Sequence, residues 1–562
     1  MMPLSISSRA RAVLIAVATV VIYLALRLPG ISLPYHQDEW KNVASSATVA
    51  AAGQFFAHPP FMQMFFVLDY RLFGIDYFRV LPLLFSIGAA ILLYFVMKRR
   101  AGQAAALWSV ALFTVCFYNI LGALQPDVDG AILPFFFLLA VFAYDRLPRK
   151  KWFAIFILAL LAGFLVKLSF ILIVGVFIID YLWAHLHDKL FKKTAWCAAG
   201  FIAFGAIYVA LLYLIQAIYP AFSIHFMLTH AHQFVAAAGR DWTQIAAQAM
   251  KVMFYLSPLA IVPLLFTTGE AFRKTRAFWL YLAFGFVFYF VLFDFSRAVL
   301  DKYLMYAIVP LAAIGGVILA DVFKGKVWSS YKRQFITAGV IGVVVALALV
   351  AANFLPQTVV ALYPKTAWFS RVLHLHWNVL TPFNGGSGPM GFYVSFLFIG
   401  TSFLVSLVLM IAAFFKKAWR APVAIILIMI GIAYNLVFAE ELFYGGLNGS
   451  APTLLAQTTA FIAQDPVITK VMTYNDIGAG PLSLMGKYTG RIYATPDSEG
   501  QYRQKFAAFD GQYLVIDIPR FDPNGFYYKF FAQCHVLFRA TSGQIAGSVY
   551  DCPHDIATIS KL

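Results

Sequence analysis

Apolar runs of about 20 residues recur through the first 440 positions of this 562-residue chain. No other feature limits its fold as strongly. In hydrocarbon, every backbone N–H and C=O must be paired inside its own segment or inside a closed barrel. The runs are continuous and show no alternating ten-residue pattern, so they predict helices and argue against a barrel. Charged residues are 12% of the chain, about half the share of a soluble protein, and hydrophobic residues are 62%. The fold class is an all-α polytopic membrane protein.

The formal net charge is +17, but its distribution does not suit nucleic acid. Basic residues gather in short clusters between apolar runs: Lys98 to Arg100, Arg146 to Lys151, Lys189 to Lys193, Arg273 to Arg276, Lys324 to Arg333 and Lys416 to Arg420. That is the positive-inside pattern, and no basic stripe tracks a groove. Arg9 and Arg11 predict a cytoplasmic N-terminus, with residues 12–28 as a retained signal-anchor helix. Further helices are expected near 77–97, 103–122, 131–147, 195–218, 247–268, 277–294, 303–321, 335–354, 391–415 and 421–439. The stretch 152–186 is basic at both ends, so it must go out and return as two short helices with its apex at Lys167. The total is about thirteen transmembrane helices, which leaves the C-terminus outside. Loops 33–76, 219–245, 295–302 and 355–390 then lie outside as well.

Composition shifts after residue 440, giving two domains: a transmembrane part, 1–440, and a small extracytoplasmic α/β domain, 441–562. "KVMTYN", "GRIYAT" and "QYLVIDI" predict strands in the second. Cys534 and Cys552 are its only cysteines, and an oxidising compartment predicts that they pair, closing a loop worth about 3 kcal/mol. Cys116 and Cys197 sit in apolar helices as packing residues.

The densest polar content follows the first helix. "LPYHQDEWKN" places His36, Asp38 and Glu39 at the start of a helix running to Ala52, with Asp38 as its N-cap. Capping and the helix dipole explain an acid pair in most settings. Here the helix is too apolar for water, and carboxylates at a membrane rim are costly without a role. "HPPFMQMFFVLDYRLFG" predicts an interfacial helix with Pro59 or Pro60 near its first position. Asp127 and Asp129 in "LQPDVDGAILPFF" form a second acidic site, of which capping explains one. By charge parity both sites share the outer face with Lys167, with Arg79 at the start of the second helix, and with Arg297, Asp301 and Lys302.

Carboxylates can take a proton from a hydroxyl, and lysine or arginine can hold a phosphate at headgroup level. The combination suits attack by a hydroxyl on a sugar whose leaving group is a lipid phosphate. No Gly-rich nucleotide loop is present.

"YHQDEW", "HPPF", "LFGIDYFRVLP", "DGAILPFFFLLAVFAY", "GFLVKLSF" and "DKYLMYAIVPLAA", in that order, resemble the GT-C glycosyltransferases. The resemblance is to the branch of protein O-mannosyltransferases and lipid A aminoarabinose transferase. It implies an inverting transfer from a polyprenyl-phosphate sugar to a glycan, lipid or protein acceptor on the extracytoplasmic face of a bacterial inner membrane. By position it implies Asp38 as base with Glu39 as partner, Asp129 as the second-loop acid with Asp127 as alternative, and Lys167 near the donor phosphate. Arg79, Arg297 and Lys302 are further phosphate candidates, and His36 and His58 candidates for substrate contact. The branch generally works without a metal or other cofactor, although aspartates hold a divalent cation in some GT-C enzymes. His58 also suits plain packing. His225, His230 and His232 do not share one helical face, which argues against a metal there. The alternative class, a transporter or lipid flippase of envelope precursors, would place charges mid-bilayer in two related repeats, and no repeat is seen.

Overall fold

The computed structural model describes residues 8–52, 58–232, 240–293, 301–326, 328–383, 390–493 and 499–552. Among these, eight helices are long and apolar enough to cross a membrane, or nine if one bent pair is a single span. Shorter apolar helices, Val17–Gly30, Ile132–Tyr144, Lys150–Val166 and Leu168–Ala184, stand where the remaining crossings are expected. The chain forms two compact units. One comprises Met1–Ser32, Asn42–Phe335 and Met410–Ala424, and the other Leu33–Lys41, Ile336–Leu409 and Ile425–Leu562.

In the first unit, the expected helix 103–122 is broken. Gln103–Val115 and Phe117–Leu124 meet at 67° across Cys116, whose backbone is extended. A break at membrane depth frees carbonyls that water cannot reach. The buried Arg27 guanidinium donates to the Thr114 carbonyl at 3.2 Å and to the Tyr23 carbonyl at 3.0 Å. Asn119 donates to the Phe113 carbonyl at 2.6 Å. Small residues let Gln103–Val115 approach the helix Ile308–Phe323 closely: a Cβ on Gly316 would stand 2.0 Å from Ser109 Oγ. Two ion pairs, Arg100–Asp145 at 2.6 Å and Arg276–Asp180 at 2.7 Å, tie helix ends near the basic clusters.

The stretch 152–186 divides at Lys167 as its flanking charges predict. Lys150–Val166 ends there, Lys167 is extended, and Ile171–Ala184 follows a short 3₁₀ turn. Phe170 folds back onto Gly163, where a Cβ would stand 2.4 Å from the ring.

The second unit holds two sheets. Strands β1 (Thr358–Val359), β2 (Val379–Phe383) and β3 (Phe392–Ser395) form a small one, β1 parallel and β3 antiparallel to β2. The expected helix 391–415 therefore begins only at Phe396. Residues 392–395 are aromatic and β-branched, and the buried β2 supplies their hydrogen bonds. The larger sheet has β4 (Val471–Tyr474), β5 (Tyr488–Ile492), β6 (Gln512–Ile516), β7 (His535–Ser542) and β8 (Ile545–Asp551) in the order β5-β4-β6-β8-β7. β4, β5 and β6 are parallel, while β7 and β8 form an antiparallel hairpin. Leu454, Leu455 and Ile462 of helix Ala451–Gln464 pack into one core, and Phe506, Phe526 and Phe530 with Tyr513 into the other. Cys534 and Cys552 form a disulfide at the second.

Candidate active site

The bent helix delivers the loop 125–131, which is buried throughout. Two glycines allow this. A Cβ on Gly130 would stand 2.3 Å from Gly122 Cα, so the loop lies flat against the helix it leaves. Arg79 donates to the Leu124 carbonyl at 2.6 Å, and Asn42 to the Pro126 carbonyl at 2.7 Å. Arg79 thus holds the helix end on which the acids are mounted.

Asp127 and Asp129 are buried, and each is paired with a lysine from another element. Lys302 reaches Asp127 at 3.1 Å, and Lys167 pairs with Asp129. Both ammonium groups stand over the Tyr303 ring, at 4.2 Å for Lys167 and 5.2 Å for Lys302. A third pair adjoins in sequence: Asp301 accepts from Lys251 at 2.9 Å. Buried charges of this kind persist only when paired. Burial pushes the Asp127 carboxyl up, but Lys302, Lys167 and the Val128 N–H outweigh it and hold it at about 2. Burial, with the Asp127 charge adding to it against the pull of Lys167, raises Asp129. The two carboxyls titrate as a pair, one firmly ionised and one easier to protonate.

His58 lies beside this cluster. Its ring meets His230 edge-on with centroids 5.4 Å apart. Burial, then Lys167, Lys302 and His230, push its imidazole down to about 3, against a smaller opposing effect of Asp127, so it is neutral at pH 7. Arg297 lies outside the described residues. Among the described residues, no three His, Cys, Asp or Glu side chains group as a metal site.

His36, Asp38 and Glu39 belong to the second unit. The helix Asp38–Ala52 starts one residue earlier than expected, so Asp38 is its first residue rather than its cap. Gln37 takes the cap position: its carbonyl accepts from Lys41 N–H at 2.9 Å, on a left-handed backbone with φ 44°. Glu39, buried, reaches back to accept the His36 N–H at 3.1 Å. Asp38 is half-buried.

Lys251 and Asn475 are functional candidates that the sequence reading misses. Lys251 carries a signal, being the lone lysine in "AQAMKVMFYL" of an apolar helix. Asn475, whose carbonyl holds His36, carries none, because a backbone acceptor leaves no mark in composition.

No protein-family model matches the chain, and no curated protein matches it. Solved structures do. ArnT from Cupriavidus metallidurans in the apo state aligns over 96% of this chain and 98% of its own, at 16% identity and TM-score 0.55. The same protein bound to undecaprenyl phosphate aligns over 97% and 98%, at 16% identity and TM-score 0.56. An oligosaccharyltransferase from Archaeoglobus fulgidus covers 90% of this chain and 69% of its own, at 9% identity; its TM-score of 0.44 is too low to show a shared fold. The chain thus has the fold of ArnT, helical with a C-terminal sheet region, and is an integral membrane protein.

Proposed function

We propose that this chain is an inverting glycosyltransferase that moves a sugar from a polyprenyl-phosphate donor to a hydroxyl of an envelope glycan, lipid or protein. The reaction takes place on the extracytoplasmic face of a bacterial inner membrane, with the N-terminus cytoplasmic. Residues 1–440 carry the chemistry, and 441–562 form an extracytoplasmic domain. One observation carries the reading: two lysines from separate elements, each neutralised by an aspartate of one buried loop, share a tyrosine face. An ammonium has three donors, so Lys167 and Lys302 can keep their carboxylates and still bind phosphate oxygens. ArnT, which has this fold, has been solved with undecaprenyl phosphate bound.

In the step proposed, the acceptor hydroxyl attacks the anomeric carbon while the bond from that carbon to the phosphate oxygen breaks. The hydroxyl proton goes to Asp38, with Glu39 holding the helix start that presents it. The electron pair of the broken bond stays on the polyprenyl phosphate, whose charge Lys167 and Lys302 stabilise. Asp127 and Asp129 hold the lysines in place, and Arg79 holds their loop. No metal or other cofactor is required by these roles.

The test is binding of undecaprenyl phosphate to the full-length protein in detergent, by native mass spectrometry. Charge-assisted contacts to phosphate are worth about 1.5–3 kcal/mol each, so K167A/K302A should weaken binding by about 100-fold or more, while D38N binds as wild type. Equal binding by K167A/K302A and wild type would overturn the phosphate assignment.

A further inference from the structure

The acid pair sits in the same compact unit as the C-terminal sheet, and its neighbours in sequence are bonded to one turn of that sheet. The turn follows β4 and reads "NDIGAG", residues 475–480. Asn475 and Asp476 have positive φ of 52° and 60°, and Gly478 has φ 94°. Asparagine and aspartate tolerate this region better than other residues with a Cβ. Several contacts stabilise the turn: Asp476 pairs with Arg491 and accepts from Tyr488 Oη at 2.5 Å, Asn475 N–H donates to the Ile492 carbonyl at 2.8 Å, and its side-chain amide to the Ile518 carbonyl at 3.4 Å.

The Asn475 carbonyl accepts two bonds from residues 33–41. His36 Nε2 stands 2.8 Å from it and Gln37 Nε2 3.0 Å. A carbonyl oxygen only accepts, so His36 carries its proton on Nε2. On the far side of the acid pair, Trp40 packs on Gly480, where a Cβ would stand 3.1 Å from the indole. Residues 36, 37 and 40 thus anchor Asp38 and Glu39 from both flanks. Gln37 is also the left-handed residue whose carbonyl opens the acid-bearing helix. Its unusual backbone is held by its own side chain on the domain.

We propose that the 475–480 turn of the C-terminal domain aims the Asp38 carboxylate, with His36 as the positioning residue. The proposal rests on the reading of Asp38 as the base that deprotonates the acceptor. It gives the domain a part in the chemical step without a contact to substrate. Loss of the His36 bond should misdirect Asp38 and slow transfer, leaving donor-phosphate affinity alone. A general base that is present but misplaced loses much of its effect.

The experiment uses full-length H36A, H36Q, G480V and D38N. Each is expressed in cells lacking the native chain, and the envelope glycans are read by mass spectrometry for the sugar that wild type adds. Each purified variant is also measured for binding of undecaprenyl phosphate. The expected result is that H36A and G480V lower transfer at least tenfold with undecaprenyl phosphate affinity within twofold of wild type. H36Q, whose amide can donate to the same carbonyl, should restore most of the transfer. Wild-type transfer by H36A would overturn the proposal, as would equal loss in H36A and H36Q. If either variant fails to bind undecaprenyl phosphate, the anchors serve folding rather than aim, which also overturns it. Retained transfer by D38N would instead remove the base itself, and is distinguishable because it does not depend on the state of His36.

Discussion

His58 shows how a single half-buried residue near fixed cations sets a pH dependence. Its folded pKa is about 3, against about 6.5 for an unperturbed histidine. Between those values the unfolded chain binds a proton that the folded chain does not. Stability therefore falls as pH drops from about 6.5 toward 3, and is not lost on the alkaline side. H58Q removes this contribution. Its melting temperature in detergent should fall less steeply than that of wild type between pH 6.5 and 4. Parallel curves would mean that the imidazole takes up its proton alike in the folded and unfolded chains, with no lowering of its pKa on folding. At the same scale, the helix break at Lys167 is legible in the sequence, because basic flanks at both ends of 152–186 predict two helices rather than one. Its pairing with Asp129 is not, since an ion pair between residues 38 apart has no sequence periodicity. Nor is the cap at Gln37, whose left-handed backbone depends on a carbonyl more than 400 residues away.

At the scale of elements, the second-loop acids depend on a close backbone approach. A Cβ on Gly130 would meet the Gly122 main chain at 2.3 Å, and main chain cannot swing aside as a flexible side chain can. G130A should therefore lift the 125–131 loop, lower stability by about 1–3 kcal/mol and weaken undecaprenyl phosphate binding. A G130A protein that melts and binds as wild type would show that the loop tolerates displacement. The apolar runs make most helices readable, to within a few residues at their ends. The break at Cys116 is hidden, because the donor that satisfies the freed Thr114 carbonyl is Arg27, 87 residues away in sequence. Strand β3 reads as the start of a helix because its residues are apolar in a long apolar context. Its extended form comes from pairing with β2, a tertiary effect that overrides local pattern. Strands β4, β5 and β6 show in their β-branched and aromatic runs, whereas β7 and β8, broken by small and polar residues such as Ala540, Thr541, Ser542, Gly547 and Ser548, do not.

For the whole molecule, the ordered motifs resembling GT-C enzymes agree with the fold, which matches ArnT along nearly its full length. Residues 33–41, a loop by sequence position, cluster with the C-terminal part of the chain. Composition marks a change near residue 440 but holds no sign of that link, because it runs through one carbonyl and one glycine. The account of function depends on Asp38 accepting the acceptor's proton. It is tested most directly by comparing envelope glycans, by mass spectrometry, from cells lacking the native chain and supplied with either wild type or D38N. A positioned base contributes about 10²–10⁴ in rate, so D38N, made at wild-type levels and still binding undecaprenyl phosphate, should leave the glycan without the sugar that wild type adds. The same sugar present at wild-type abundance in D38N cells would contradict the account.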